Sequence, residues 1–344
     1  MNFDLSGDQR AIVDEVQKTC RAFDENYWRK NDAEALFPHA FHKAMADAGW
    51  LGIAMPEAQG GAGLGITEAA LMLQAVSASG AGFSGASAIH MNIFGLNPVV
   101  VFGSEAQKQR MLPPLIAGFD KACFAVTEPD AGLDTTQLKT QAVRDGDHYV
   151  LNGRKIWIST AQVANKMLIL ARTTPMDQVN KATNGLSLFY TDLDRQHVEV
   201  REIDKMGRAA VDSNMLFIDQ LRVPVSDRIG EEGHGFMYQM MQFQEERLWA
   251  AARCLQSLAN CIQWTVDWAQ ERHLFGATLA DQQWVQFKLA EMKTELECLR
   301  ALTHQACAQY VQGKDVLELA SMAKLKAGRL NRLIPDGCLQ FWGG

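Results

Sequence analysis

The sequence has little that would direct it to nucleic acid or to a membrane. Acidic residues outnumber basic ones, 40 Asp and Glu against 33 Lys and Arg, for a net charge of −7 at pH 7. A protein that binds along phosphates usually has a basic surface instead. No run of 18 or more apolar residues predicts a membrane span, and the opening Met1 to Asp4 has no basic leader typical of a targeting peptide. We therefore expect a cytoplasmic protein with no nucleic-acid partner and no membrane span.

Closely spaced cysteine pairs, which would indicate a metal or redox centre, are also missing. The seven cysteines include no C-x-x-C pair, their number is odd, and most fall in stretches with helical periodicity. Free cysteine usually behaves as a small buried hydrophobe in a reducing compartment. The cysteines therefore predict neither a disulfide framework nor a metal site.

What the chain does contain is three stretches with different hydrophobic periods. Up to about residue 120, apolar residues recur every three to four positions, and Ser6 and Thr67 are predicted helix N-caps. From about 121 to 230 the period changes to two, which predicts strands. From 231 to 344 helical sequence returns in long pieces, the last of which Pro335 is predicted to end.

This order predicts a mainly α fold with a central β domain. We expect an N-terminal helical domain at 1–120, an antiparallel β barrel or sandwich at 121–230, and a C-terminal helical bundle at 231–344. Strands do not alternate with helix-length segments, so a Rossmann sheet is not expected.

Two glycine-containing segments have distinct interpretations. Asn152-Gly153 lies between two apolar runs, and both residues tolerate positive φ, so a hairpin turn is predicted there. The segment Gly60–Gly65 lacks G-x-G-x-x-G spacing and does not follow a strand. We interpret it as a connector between helices rather than a dinucleotide-binding loop.

Five motifs, taken together in this order and spacing, are more specific than any one alone. They are Phe124–Gly132 (FAVTEPDAG), Lys155–Ser159 (KIWIS), Met206–Arg208 with Val223–Pro224, Arg272–Gly276 (RHLFG) followed by Gln283, and Gln340–Gly344 (QFWGG). The last matches the start of a Q-x-x-G-G-x-G turn. Over essentially the whole chain they resemble the acyl-CoA dehydrogenase family, which implies FAD as the cofactor.

The resemblance implies a flavin site in the β domain. An isoalloxazine ring needs a stacking wall and polar groups at its edge, and Trp157, Thr127 and Ser159 supply them. From the residues alone, Trp157 could equally be a core aromatic. Leu133 stands where the family usually has Ser, so it offers only its backbone N–H. The cofactor contacts implied by the family are Phe124, Val126, Thr127, Leu133, Trp157, Ile158, Ser159, Arg272, Phe275, Gln283, Gln340, Gly343 and Gly344.

A carboxylate in a dry pocket is the expected base for removing the α-proton of a thioester. The resemblance places it in Gln244-Glu245-Glu246-Arg247-Leu248, because the isovaleryl-CoA and long-chain branch carries its base in a Glu-Arg-Leu context on the C-terminal bundle. Glu246 is therefore the expected base, and the expected substrate-binding residues are Leu133, Gln244 and Arg247. Without the resemblance, Glu-Glu-Arg on a helix would indicate a solvated face.

The implied reaction is FAD-dependent α,β-dehydrogenation of an acyl-CoA to a trans-2-enoyl-CoA in fatty acid β-oxidation. Electrons would pass to an electron-transferring flavoprotein. Arg272 and Phe275 would reach a neighbouring subunit's FAD, which implies a homotetramer or homodimer.

Two alternatives stay open. The chain stops at Gly344 within the family's glycine turn, so we expect it to lack the family's C-terminal end and possible FAD contacts there. It would then be a folded but inactive or weakly flavinated scaffold. A flavin oxidase or monooxygenase is the other alternative. Glu246 argues against it, since flavin–oxygen chemistry does not require removal of an α-proton.

Overall fold

The computed structural model describes residues 4–94 and 96–343. They divide into two compact units, each built from separate stretches of the chain. The first unit comprises the described parts of 1–21, 65–86 and 244–344, and the second those of 22–64 and 87–243. The predicted domain boundaries near residues 120 and 230 mark changes of hydrophobic period and stay a prediction.

The elements follow the predicted order of helical, strand and helical sequence, which confirms the fold class. The helices of the described residues are α1 (Gly7–Cys20), α2 (Glu25–Ala33), α3 (His39–Asp47), α4 (Ile66–Val76), α5 (Gly82–Phe94), α6 (Asn97–Phe102), α7 (Glu105–Ile116), α8 (Gly235–Glu271), α9 (Gln283–Val311) and α10 (Leu317–Trp342). The strands are β1 (Ala122–Ala125), β2 (Gln141–Asp145), β3 (His148–Ser159), β4 (Lys166–Arg172), β5 (Leu186–Asp192), β6 (Val198–Glu202), β7 (Ser213–Pro224), β8 (Arg228–Ile229), β9 (His273–Leu274) and β10 (Ala277–Thr278).

The second unit is built on one eight-stranded sheet in the order β6-β7-β3-β2-β4-β5-β8, with β1 added beside β4. Most pairings are antiparallel, as predicted, but β1 and the start of β2 pair with β4 in parallel. Both faces are buried along β4 and β5, whereas most residues of β2 and β6 are exposed or half-buried. Along β4, Met167 and Ile169 join one apolar cluster, while Leu168 and Leu170 join a second that includes residues of α7. The period-two pattern thus separates two cores rather than a core from solvent.

The predicted hairpin at Asn152-Gly153 is wrong. Both residues lie inside β3, and the turn that precedes this strand is Gly146-Asp147, which joins it to β2. At Asn152 the strand shifts register against β7, and the Asn152 side-chain oxygen accepts the Gln220 backbone N–H at 2.8 Å. The extra residue of this β-bulge lies on β7, where Asp219 and Gln220 oppose Asn152 and Gln220 has φ 53°. A Cβ on Gly153 would lie 2.7 Å from the Thr140 Cα, which requires glycine at this position.

The first unit is a helical bundle. Its apolar cluster is formed by α8, α9 and α10 and includes Leu255, Leu296 and Leu330. Pro335 does not end the last helix as predicted, because α10 continues to Trp342. The residues around the proline, Ile334 and Phe341, are buried in the bundle. This packing offsets the ~3 kcal/mol that a proline inside a helix costs.

The predicted helix starts have mixed outcomes. Ser6 caps α1 through a capping box with Gln9, which confirms that prediction. Thr67 is not a cap, since α4 already begins at Ile66 and the Glu68 carboxylate accepts the Gly65 N–H at 3.2 Å. The segment Gly60–Gly65 connects helical segments, as interpreted from its spacing.

One stretch, Ile66–Phe102, passes a length and composition test for a membrane span, with mean hydropathy 1.3 in its most apolar window. Because 69% of that window is buried inside the protein, as in a core helix, it is weak evidence for a span. All seven cysteines are free thiols; most are buried, and Cys298 is exposed. Within residues 4–94 and 96–343, no group of three or more His, Cys, Asp or Glu is placed to hold a metal ion.

Candidate active site

The two segments proposed to contact flavin meet in the second unit. The Ile156 N–H, near the end of β3, donates to the Thr127 carbonyl, just after β1, at 2.9 Å. A bulge in β3 follows, because Ile156 and Trp157 together oppose the single β7 residue Met215. Trp157 lies in this bulge at φ 62°, and its side chain is 61% exposed. The structure therefore turns the Trp157 ring outward, so it is not a core aromatic.

The neighbouring side chains divide into those that face outward and those that face the core. Thr127 and Ser159 are half-buried. Val126 and Ile158 are buried in the two apolar clusters of the sheet, so their backbone atoms are what they could offer a ligand. Phe124 is half-buried, 6.4 Å from the Phe243 ring. An exposed aromatic face beside partly accessible hydroxyls fits a flat, hydrogen-bonding ring such as isoalloxazine.

Leu133 lies in the turn that follows the Thr127 segment. Its side chain is fully exposed, at 105%, so it packs against nothing. Its roles toward cofactor and substrate stay predictions.

A buried ion pair beneath this segment was missed by sequence reasoning. Lys155 is fully buried and Glu128 is 5% exposed, and their charged atoms are 2.9 Å apart. Burial alone would raise the pKa of Glu128, but the Lys155 ammonium and the Glu128 hydrogen bonds hold it below its usual value. Burial lowers the pKa of Lys155 to about 8, with Glu128 opposing the shift. The sequence does contain a sign of this pair. Lys155 is separated from the apolar residues Tyr149 and Leu151 by even numbers of positions, so alternation along β3 predicts that it also points into the core. A charged residue there requires a partner.

In the first unit, the RHLFG segment forms a short hairpin of β9 and β10. Its two turn residues, Phe275 and Gly276, both have positive φ, at 55° and 84°, and the Phe275 ring is fully exposed at the tip. Arg272 precedes the hairpin and Gln283 begins α9, and both are exposed. The geometry presents an aromatic and a cation outward. Their proposed service to a neighbouring subunit's FAD stays a prediction.

The end of α10 carries the last predicted cofactor residues. Gln340 is exposed, and Gly343 adopts the left-handed conformation, φ 85°, that ends the helix. Gly344 lies outside the described residues. The roles of Gln340, Gly343 and Gly344 in binding FAD stay predictions.

Glu246 lies on α8, in the first unit. It is partly buried, and burial raises its pKa above the usual value, while the positive charges of Arg253, Arg247 and Lys324 partly oppose this rise. A carboxylate with a raised pKa is a better proton acceptor than an ordinary one. Glu246 is therefore not part of a fully solvated helix face.

A basic cavity of about 530 Å³ is lined by Arg247, the residue that follows Glu246. Its lining includes Arg247 from α8 and three cations of α10, Lys324, Arg329 and Arg332, of which the last two are spaced i,i+3. Gln244, also expected to bind substrate, is half-buried two residues before Glu246 on α8. The three α10 cations were not predicted, although their spacing was visible in the sequence. This arrangement can attract an anionic ligand.

The neighbouring carboxylate, Glu245, is hydrogen-bonded within the helical bundle. Its side chain is 8% exposed and accepts a hydrogen bond from the Tyr310 hydroxyl on α9. Burial raises the pKa of Glu245 to about 7, and the Tyr310 hydrogen bond partly opposes the rise. Consecutive helix residues project about 100° apart, so the two glutamates have different surroundings.

From the raised pKa of Glu245 we predict that its contribution to the free energy of unfolding falls as pH rises. Its folded-state pKa of about 7 exceeds the ordinary 4.5, so the folded protein keeps a proton that the unfolded chain releases between these values. The contribution is fully present below pH 4.5 and is lost as pH approaches 7, about 3 kcal/mol at ~1.4 kcal/mol per pH unit. Glu245→Gln should remove this slope in urea unfolding at pH 5, 6 and 8. Tyr310→Phe should extend the decline to higher pH, because it removes the hydrogen bond that lowers the pKa of Glu245. Equal slopes in wild type and Glu245→Gln would contradict this account.

Comparisons with known proteins agree over almost the full length. The chain matches the N-terminal domain of acyl-CoA dehydrogenase over residues 6–119, the middle domain over 123–221, and the C-terminal domain over 233–344. This class of protein is an FAD-dependent oxidoreductase that acts on acyl-CoA. The chain belongs to the acyl-CoA dehydrogenase family.

Individual relatives differ in what their names say they act on. The chain is 34% identical over 333 residues to the short-chain specific acyl-CoA dehydrogenase of Homo sapiens, covering 95% of this chain and 79% of that protein. It is 32% identical over 338 residues to the 3-(aryl)acrylate reductase of Clostridium sporogenes, covering 97% and 83%. A solved structure described as PigA with FAD and proline is 26% identical, with a TM-score of 0.94, covering 100% and 89%.

Proposed function

We propose that this protein oxidises an acyl-CoA thioester to the trans-2-enoyl-CoA, with Glu246 as the catalytic base. The observation that carries the proposal is the environment of Glu246, a partly buried carboxylate of raised pKa whose charge interacts with two cations that line the basic cavity, Arg247 and Lys324. A strong base is required for an α-proton, and phosphate-binding cations are required for CoA. We assign these two tasks to residues of the first unit: Glu246 on α8 to the first, and Arg247 with the α10 cations that line the same cavity to the second.

Each group would have a defined task. A Glu246 carboxylate oxygen accepts the proton from the α-carbon, while a hydride leaves the β-carbon, so the substrate loses two hydrogens and gains a double bond. FAD, when bound, supplies the two-electron acceptor for that hydride. Trp157 would stack on the ring, and the Thr127 and Ser159 hydroxyls would donate hydrogen bonds to its edge. Arg247 would neutralise part of the CoA phosphates.

The α10 cations give a testable consequence for substrate binding. In Arg329→Gln with Arg332→Gln, we expect KM for acyl-CoA to rise about tenfold with little change in kcat, because uniform binding to a charged group is lost. The same variant should act on an acyl-pantetheine, which lacks the nucleotide phosphates, as the wild type does. Matched substitutions at exposed Lys293 and Lys288 on α9 provide the control. An unchanged KM for acyl-CoA would show that this cavity does not bind the CoA phosphates.

The identity of the acyl chain is a separate part of the proposal. The position of Glu246 on α8 supports placement with the isovaleryl-CoA and long-chain branch, whereas one named relative is a short-chain enzyme. A series of straight and branched acyl-CoAs of increasing length, compared by kcat/KM, decides between them. We further propose that the electrons pass to an electron-transferring flavoprotein. We also propose that the protein forms a homotetramer or homodimer through Arg272 and Phe275, and that it is located in the cytoplasm.

The direction and acceptor of the reaction are tested in one experiment. The FAD-loaded protein is supplied with acyl-CoA and an artificial one-electron dye, with an electron-transferring flavoprotein, or with oxygen alone, and the product is identified by mass. Loss of two hydrogens with the dye or flavoprotein supports a dehydrogenase. Fast hydrogen peroxide release with oxygen alone would indicate the oxidase alternative. Reduction of an enoyl or arylacrylyl substrate without acyl-CoA oxidation would instead favour a reductase, as the name of one relative suggests.

A further inference from the structure

A buried lysine joins the two segments that carry the proposed flavin contacts. The Lys155 ammonium donates to the Val126 carbonyl at 3.0 Å, to the Leu170 carbonyl at 2.8 Å, and to the Glu128 carboxylate at 2.9 Å. An ammonium has three donors, and each is used here. Lys155 therefore ties β3 both to the segment after β1 and to β4.

Glu128 extends this network to the next part of the chain. Besides Lys155, its carboxylate accepts the backbone N–H groups of Lys139 at 2.7 Å and Thr140 at 3.0 Å. A buried charged network whose members are all satisfied makes the surrounding backbone rigid. Thr127 lies inside this network, since the residues on both sides of it are held by Lys155.

Trp157 follows Lys155 by two residues, in a backbone conformation that needs support. A φ of 62° is in the left-handed region, which is unfavourable for a bulky residue and persists where surrounding structure imposes it. The support comes from the two residues that directly precede Trp157: the Lys155 side chain is anchored inward, and the Ile156 N–H is bonded to the Thr127 carbonyl. The strained bulge is what turns the Trp157 ring toward solvent.

We propose that Lys155 and Glu128 are positioning residues for the cofactor. The pair holds Thr127 and Trp157 in the arrangement that receives the flavin ring before FAD binds. Both side chains are buried, so they act through the backbone they hold and not by touching the ring. The inference rests on the assignment of Thr127 and Trp157 to the flavin under the proposed function.

The test separates FAD affinity from stability. Lys155→Met alone leaves a buried carboxylate uncompensated, so it is combined with Glu128→Gln, which removes both charges with little change in volume. We expect the Kd for FAD, measured by flavin fluorescence, to rise about tenfold or more, as when groups that orient ligand contacts are removed. Arg228→Met, which removes the Arg228–Glu232 ion pair at 2.9 Å in the same unit, is the control. It should lower the melting temperature of the apoprotein and leave the FAD Kd unchanged.

A double variant that binds FAD as tightly as the wild type contradicts the positioning role. Trp157→Ala distinguishes this result from a failure of the flavin assignment. If Trp157→Ala weakens FAD binding and the double variant does not, only the positioning role fails; if neither weakens it, the assignment fails.

A measurement on the wild type does not depend on whether any variant folds. The proposal requires the network to exist in the apoprotein, so the Ile156 amide should exchange slowly before FAD is added. Fast exchange that becomes slow only with FAD would show that the flavin organises the segment, and would overturn the proposal.

Discussion

Glu246→Gln should lower kcat for acyl-CoA oxidation by about 10²–10⁴-fold, the usual contribution of a positioned general base. The amide keeps the size of the side chain and cannot accept the α-proton. FAD content and apoprotein melting should stay near the wild-type values, because the substitution removes a charge that burial disfavours. In the wild type, kcat should rise with pH as Glu246 loses its proton, and the variant should lack this rise. Steady-state rates from pH 5 to 9 check both.

Glu245→Gln is the matched control for that result, because the adjacent carboxyl is also buried but is hydrogen-bonded to Tyr310. It should retain most of the wild-type kcat while changing the pH dependence of stability. If Glu245→Gln abolishes turnover and Glu246→Gln does not, the base has been assigned to the wrong one of two neighbours. In that case the glutamate chosen from the family motif would be wrong, whereas proton abstraction by a carboxylate of α8 would still hold.

Trp157→Ala should weaken FAD binding by about 10–100-fold, since stacking a flat ring on an aromatic side chain is worth about 1–3 kcal/mol. Because the side chain is 61% exposed, its loss should hardly change the melting temperature of the apoprotein. Fluorescence titration of the apoprotein with FAD measures the Kd directly. Trp157→Phe keeps an aromatic face and should restore most of the affinity. Unchanged affinity in Trp157→Ala would mean that the exposed ring has another role.

The features predicted correctly from the sequence depend on residues close together in the chain. The Ser6 cap is complete within four residues through Gln9. The strands β4 and β5 lie where the period-two sequence predicted strands. The outward position of Trp157 could not be decided in this way. It depends on a bulge against β7, whose residues lie more than fifty positions away.

The errors and omissions arise where distant residues override a local preference. Asn152 looked like a turn residue, but its oxygen is bonded to Gln220 on another strand. Pro335 was predicted to end the last helix, but α10 continues beyond it and is stabilised by the burial of Phe341. Glu245 and its partner Tyr310 are 65 residues apart. In each case the missing information was a tertiary contact, which hydrophobic period and motif spacing do not contain.

The most direct test of the account is anaerobic reduction of the FAD-loaded protein by acyl-CoA. The account predicts that the visible flavin absorbance of the wild type is lost in proportion to added acyl-CoA, that the product is the enoyl-CoA, and that Glu246→Gln holds FAD but stays oxidised. The acyl chain that reduces the flavin fastest then identifies the substrate. If the wild type binds FAD but stays oxidised with every acyl-CoA in the series, or reduces as fast without Glu246, the proposed function is contradicted.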